Sequence, residues 1–315
     1  MRLAIINDYQ NLALAAADWP SLPGGIVPKV HGRLSGPDEA AAVLAGCEIV
    51  VTAREETRFD AALIARLPDL RLVVTHGMNN AALDLAALAA AGVTVCGTTY
   101  GFSAATAELA WGLILGLVKN IPAEDRTIRA GGWGADLGRG LTGRVLGVLG
   151  LGDLGGRVAR VGAALGMEVI AWSPRLTDAA AAEAGARRVT REALFAEADV
   201  LTIHVRYSPA LRGMIGAAEI AAMKPGAILI NTARGPIVDE AALVAALRSG
   251  ALGGAGLDVF DQEPLPPGHP LTLLPNTLLT SHIGGRTREN FLARYQGSFE
   301  AVRAWLAGQP VRVLS

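Results

Sequence analysis

Arg234, Glu263 and His282 are residue types that can work together on a carbonyl group. Arg234 sits in Asn231-Thr232-Ala233-Arg234-Gly235. Glu263 sits in Gly256-Leu257-Asp258-Val259-Phe260-Asp261-Gln262-Glu263-Pro264, and His282 in Thr280-Ser281-His282-Ile283-Gly284-Gly285. A guanidinium grips a carboxylate and a keto oxygen through parallel hydrogen bonds and steadies alkoxide charge as it develops. An imidazole exchanges protons near neutrality, and a neighbouring carboxylate holds the ring and favours its protonated form. Together they can bind a 2-oxo acid and protonate its carbonyl oxygen. The plainer readings are a turn arginine, a surface glutamate and a strand-end histidine.

Reduction also needs a hydride donor. Upstream lies Gly150-Leu151-Gly152-Asp153-Leu154-Gly155. With 38 glycines in 315 residues, chance alone supplies about 0.5 such patterns, so the spacing by itself is weak. Its position strengthens it: the apolar run Val145–Leu149 ends at Gly150, and a helical pattern opens at Gly155. Gly150 permits the tight turn, Gly152 lets the backbone approach a pyrophosphate, and Gly155 allows close helix–strand packing. The helix N-terminus offers free N–H groups to the phosphates. The loop from Gly150 through Asp153, Leu154 and Gly155 is therefore assigned to a dinucleotide, with the Asp153 side chain turned away. Gly285, after the histidine, joins the same assignment.

Ser173 stands 18 residues past Gly155, where a site selective for NAD carries an acid on the ribose 2′-hydroxyl, and Arg175 follows. Serine and arginine can bind a 2′-phosphate that an acid would repel, which favours NADP over NAD. The alternative is NAD without its usual carboxylate and a solvated Arg175. His204, on an apolar run, reads as a core or cofactor-lining residue. Thr75-His76-Gly77-Met78-Asn79-Asn80 follows another apolar run, and the backbone N–H groups of Gly77, Met78 and Asn79 suit a substrate carboxylate. His76 reads as structural. Arg54 is a substrate candidate or a solvated charge.

At 315 residues the chain exceeds the usual size of one domain, so two are expected. The chain is 51% hydrophobic and 18% charged, with a net charge of −1, so nothing favours nucleic acid or an anionic membrane as partner. Cys47 and Cys96 form no metal-ligand spacing, and no metal is expected. Their expected state is reduced, in a cytoplasmic protein. The N-terminal run reads as a strand and not a signal peptide. The apolar stretch Ala107–Val118 is too short and interrupted for a membrane span.

Strand and helix patterns alternate along the chain. Strands are expected at Leu3–Ile6, Glu48–Thr52, Arg71–Thr75 and Val93–Cys96, with helices at Asp38–Ala45, Asp60–Leu67 and Asp84–Ala91. A long apolar helix, Ala105–Asn120, precedes a glycine-rich loop, Ala130–Leu141. Six strands follow: Val145–Leu149, Glu168–Trp172, Val200–Val205, Ala227–Asn231, Ala255–Val259 and Thr277–Thr280. Helices are expected at Gly155–Leu165, Arg191–Glu197 (capped by Thr190) and Asp239–Leu247, and a last one at Arg288–Leu306. The expected class is α/β, a Rossmann doubly wound parallel sheet plus a discontinuous second α/β domain. The boundaries are residues 1–98 with 287–315, and 99–286.

In this order the segments Gly77–Leu85, Ala107–Asn120, Leu146–Val158, Ile203–Gly216, Asn231–Leu243, Gly256–Leu265 and Ser281–Gly285 resemble the D-isomer-specific 2-hydroxyacid dehydrogenase family over most of the chain. The resemblance implies a flavodoxin-like substrate domain built from both termini, a Rossmann domain between, and catalysis in the cleft. It assigns Arg234 to substrate binding, His282 to acid/base work and Glu263 as its partner. Thr106, Thr232, Ala233 and Asp258 would line the nicotinamide side, and the molecule would be a homodimer through the Ala105–Leu141 region. Departures are the missing acid at Ser173, and Arg206 where a proline is frequent, which can touch the adenosine end. Formate dehydrogenases of the superfamily would carry Gln at Glu263. The expected substrate is a small 2-oxo acid such as glyoxylate or hydroxypyruvate. The rival readings are a phosphoglycerate-type dehydrogenase and a non-catalytic NAD(P)-sensing protein.

Overall fold

The computed structural model describes residues 1–53, 56–99, 103–134 and 136–314. In chain order the strands are β1 (Leu3–Ile6), β2 (Lys29–Val30), β3 (Ile49–Thr52), β4 (Leu72–Thr75), β5 (Thr94–Gly97), β6 (Val145–Leu149), β7 (Glu168–Trp172), β8 (Arg187–Arg188), β9 (Val200–Ile203), β10 (Ala227–Asn231), β11 (Leu252–Leu257) and β12 (Thr277–Leu279). The α-helices are α1 (Ala13–Ala16), α2 (Pro37–Leu44), α3 (Ala61–Ile64), α4 (Leu85–Ala90), α5 (Ser103–Val118), α6 (Ile121–Arg129), α7 (Asp153–Ala164), α8 (Asp178–Glu183), α9 (Arg191–Glu197), α10 (Ala217–Ala222), α11 (Glu240–Ser249) and α12 (Arg288–Leu306). They fall into a terminal unit, Met1–Phe102 with Thr287–Ser315, and a central unit, Ser103–Arg286.

In the terminal unit five parallel strands run in the order β2-β1-β3-β4-β5, the flavodoxin-like arrangement. Side chains alternate between faces, as strand geometry requires. Ile5, Val51 and Val74 pack with Phe291, Tyr295 and Phe299 of α12. Ala4, Ile6, Val50 and Val73 pack with Leu44, Leu63 and Leu88 on the other side. Both faces are covered, so the strands read as unbroken apolar runs.

In the central unit seven parallel strands run β12-β11-β10-β9-β6-β7-β8, the doubly wound Rossmann order extended by one strand. Leu149, Ile203 and Leu229 pack with Leu194, Phe195 and Leu243 on one face. Leu146, Val148 and Ile230 pack with Trp111 and Leu113 of α5 and Val158 of α7 on the other. The chain turns from β6 to α7 at the point where the strand order reverses, the usual ligand position of such sheets.

Several boundaries differ from expectation. The two-residue strands β2 and β8 carry too little pattern to read, and β8 makes seven strands where six were expected. No helix was expected at α6; Pro122 lies at its start, where a missing N–H costs nothing. β9 ends at Ile203, so His204 and Val205 lie beyond it. β11 begins at Leu252 and ends at Leu257. The expected strand was Ala255–Val259. Within β11 a Cβ on Gly256 would meet Ile230 Cδ1 at 2.9 Å and Leu113 Cβ at 3.0 Å. The glycine is there so that α5 can lie close to the sheet.

Candidate active site

Glu263 and His282 meet on the central unit. His282 Nδ1 lies 2.6 Å from Glu263 Oε2, with the two side chains 35% and 33% exposed. Glu263 Oε1 accepts the Phe260 N–H at 3.0 Å. Burial pushes the Glu263 carboxyl up. The hydrogen bonds from His282 and the Phe260 N–H, with the charges of His282 and Arg234, outweigh burial and hold it below its ordinary value. Among the described residues no protein group is bonded to Nε2 of His282. A second imidazole–carboxylate pair, His269 Nε2 to Glu240 Oε1 at 2.9 Å, differs here: His269 Nδ1 accepts the Leu271 N–H. Both its nitrogens are committed, which makes it a structural pair.

A close backbone approach brings Arg234 to this pair. Arg234 follows β10, and at Gly235 a Cβ would overlap the backbone of Phe260 and Asp261. Only glycine lets the Arg234 turn lie against the segment leading to Glu263. The turn itself is laced by buried Asn231, whose Nδ2 donates to Arg234 O at 2.9 Å and whose Oδ1 accepts the Ala233 N–H at 3.0 Å. Arg234 Nη1 donates to Ala233 O at 2.7 Å and is half-buried.

Asp258 does the same for the histidine loop. It is 1% exposed. Oδ1 accepts the Thr280 hydroxyl at 2.6 Å and the Ile283 N–H at 2.7 Å, and Oδ2 accepts the Gly284 N–H at 2.8 Å. These bonds bracket His282, whose φ of 53° lies in the left-handed region. Neither Asn231 nor Thr280 was singled out from the sequence, and Asp258 was assigned to a cofactor only by resemblance. Thr106 lies against the same loop, since a Cβ on Gly284 would meet its Cγ2 at 3.1 Å. Thr232 keeps a buried hydroxyl oxygen that bonds no described group. Gly285 is half-buried beside Gly284.

The glycine loop has the features of a dinucleotide cradle. Gly150 has φ 98°, and a Cβ there would meet Val205 N at 2.7 Å and the His204 carbonyl carbon at 2.8 Å. A Cβ on Gly155 would overlap Gly150 O, whereas at Gly152 it would meet nothing within 4 Å. That open space is where a phosphate can approach. Asp153 pairs with Arg157 at 3.2 Å, and Leu154 packs on the core. Ser173 Oγ accepts the Leu151 N–H at 2.9 Å, tying the loop to the end of β7. Arg175 and Arg206 are exposed and have no ion-pair partner among the described residues. His204 bonds Thr202 Oγ1 through Nε2 at 2.8 Å. Its Nδ1 is buried without a hydrogen-bond partner among the described residues, and burial lowers its pKa from 6.5 to about 3.

On the terminal unit, the Gly77 N–H is taken by Thr98 Oγ1 at 2.9 Å. Met78 and Asn79 are exposed, and their N–H groups meet no acceptor among the described residues. His76 is buried against Tyr295, with ring centroids 4.7 Å apart, and neither ring nitrogen has a hydrogen-bond partner among the described residues. Burial, with the charge of Arg294, lowers its pKa from 6.5 to about 3. Arg54 lies outside the described residues. Among them, no cluster of three or more His, Cys, Asp or Glu side chains could hold a metal ion, and no single helix is long and apolar enough to cross a membrane.

Residues 111–284 match the family described as D-isomer specific 2-hydroxyacid dehydrogenase, NAD binding domain. A glyoxylate reductase from Aeropyrum pernix is 38% identical over 80% of this chain and 78% of its own length. A D-3-phosphoglycerate dehydrogenase from Archaeoglobus fulgidus is 36% identical over 83% of this chain, which spans about half of that longer protein. The crystal structure of a phosphoglycerate oxidoreductase from Vibrio cholerae superposes with a TM-score of 0.88 at 32% identity, covering 98% of this chain and 99% of that one. With the sheet order and the glycine cradle, these matches place the chain in the D-isomer specific 2-hydroxyacid dehydrogenase family.

Proposed function

We propose that the protein reduces small 2-oxo acids to D-2-hydroxy acids with a nicotinamide cofactor. The carrying observation is the 2.6 Å contact of His282 Nδ1 with Glu263 while Nε2 is left to face a substrate. A bound nicotinamide supplies the hydride to the keto carbon. His282 gives its Nε2 proton to the carbonyl oxygen, and Glu263 holds the ring through Nδ1. Arg234 takes the carboxylate and steadies the charge developing on oxygen. Buried Asn231 and Asp258 hold the two loops in register, so the groups need no reorganisation during the reaction. Met78 and Asn79 offer two backbone N–H groups to a carboxylate.

The cofactor reading is NADP before NAD. Ser173 Oγ already accepts the Leu151 N–H, so its hydroxyl proton is the group it can offer a ligand. A donor suits a 2′-phosphate, and the unpaired Arg175 and Arg206 add positive charge. Gly150, Gly152 and Gly155, with the backbone of Asp153 and Leu154 at the start of α7, would hold the pyrophosphate.

The reading includes a homodimer in the cytoplasm. Ile121 and Ile128 on α6 are exposed, and Trp133 and Leu137 beyond it are 90% and 91% exposed. Large apolar groups gathered on one segment support burial by a second copy. Cys47 and Cys96 are both free and buried. The reaction is tested by turnover of NADPH with glyoxylate, hydroxypyruvate and longer 2-oxo acids. Cofactor binding with no turnover on any of them would leave a nucleotide sensor.

A further inference from the structure

We propose that Thr98 is a positioning residue for the substrate carboxylate. The inference rests on the reading that the Met78 and Asn79 amides bind that group, and it concerns what holds them in place.

Thr98 closes a two-bond clamp on Gly77. Its Oγ1 accepts the Gly77 N–H at 2.9 Å, and its own N–H donates to Gly77 O at 3.2 Å. Both polar groups of the Gly77 peptide position are thereby used, and Thr98 is 1% exposed. Gly77 has φ 89°, a backbone state that an unclamped chain would leave readily. The neighbouring Gly97 makes the clamp possible. A Cβ on Gly97 would meet Gly77 O at 2.6 Å and Met78 Sδ at 2.9 Å.

The end of β5 is itself anchored, so the clamp has a fixed support. The Gly97 N–H donates to Arg312 O at 2.9 Å, and Arg312 Nε donates to Gly97 O at 3.0 Å. The far side of the loop is tied as well, by Asn80 Nδ2 to Thr75 Oγ1 at 2.8 Å and by the Ala82 N–H to Asn80 Oδ1 at 2.9 Å. At the crest of the loop the amides of Met78 and Asn79 find no acceptor among the described residues. The arrangement fixes both shoulders of a short loop and leaves two donors at its crest. Thr98 supplies the side-chain acceptor on one shoulder, and valine would match its shape without that oxygen.

A carboxylate held equally in ground and transition states affects KM and not kcat. Thr98→Val should therefore raise KM for the 2-oxo acid about tenfold, the size of one misplaced hydrogen bond. kcat at saturation and NADPH affinity should stay within about twofold, and Thr98→Ser, which restores the oxygen, should return KM to near wild type. Asn79→Pro removes one of the two amides and tests the underlying reading. All three are assayed as full chains with glyoxylate and NADPH, with melting temperature as the folding control. A raised KM in both Thr98→Val and Asn79→Pro, rescued by serine, supports the proposal. A raised KM in Asn79→Pro alone overturns it and leaves the carboxylate reading standing. No change in either variant removes both. A lower kcat or melting temperature in Thr98→Val at constant KM, or failure of serine to rescue, makes Thr98 an ordinary fold residue. A raised KM in Thr98→Val without one in Asn79→Pro also sinks the proposal.

Discussion

Glu263 is bound at both oxygens, to His282 Nδ1 at 2.6 Å and to the Phe260 N–H at 3.0 Å. It cannot turn away from the imidazole without leaving a backbone donor unpaired. The ring is held through one nitrogen by a group that is itself held, which is the preorganisation that proton transfer needs. His282→Ala should lower kcat about 10²- to 10⁴-fold with little change in NADPH affinity, measured by fluorescence titration. A near-normal kcat would remove His282 from the chemistry.

The same pair can be tested from the carboxylate side. The Glu263 carboxyl is held below its ordinary value despite burial, so it stays ionised as pH falls through the usual glutamate range. Glu263→Gln keeps the shape and removes the charge that His282 Nδ1 meets at 2.6 Å. It should lower kcat about 10- to 100-fold, the range of one charged hydrogen bond, with little change in NADPH affinity. An unchanged kcat would show that Glu263 does not act through His282.

Cofactor choice is tested at Arg175. Arg175→Ala should cut kcat/KM with NADPH by about 10- to 100-fold, the range of one charged hydrogen bond, and leave the NADH value nearly unchanged. Equal use of NADH before and after the substitution would assign Arg175 to solvent.

His76 makes stability depend on pH. Its folded value of about 3 lies below the ordinary 6.5, so the unfolded chain binds a proton that the native protein refuses. The stabilisation is complete above pH 6.5 and is lost as pH falls towards 3. At pH 5 the loss is about 2 kcal/mol. His76→Phe keeps an aromatic ring against Tyr295 and should lose fewer degrees of melting temperature between pH 7 and pH 5. Identical losses in both proteins would show that His76 is not the group responsible.

Trp133 and Leu137 are the residues to alter in the dimer reading. Trp133→Glu with Leu137→Glu should give a monomer by light scattering, with the fold retained by circular dichroism, because charges at an apolar contact are costly to bury. A wild-type protein that is already monomeric would end that reading.

The sequence by itself determined the α/β alternation, because strands covered on both faces become apolar runs and amphipathic helices carry their caps. Thr190, expected as a cap, accepts the Ala193 N–H at 3.2 Å, and β1, α9 and α12 have the expected bounds. The glycine cradle was legible because steric need leaves a mark: Gly150 has no room for a side chain. Elements too short to show a period, such as β2 and β8, left none. Only the tertiary structure decided how Arg234, Glu263 and His282 are held. Thr98 lies 21 residues from the Gly77 N–H that it accepts, and nothing in its type or spacing distinguishes it from an ordinary polar residue. Asp258 is 26 residues from the Gly284 amide it accepts, and a hydrogen bond across that distance exists only once neighbouring parallel strands have brought their ends together.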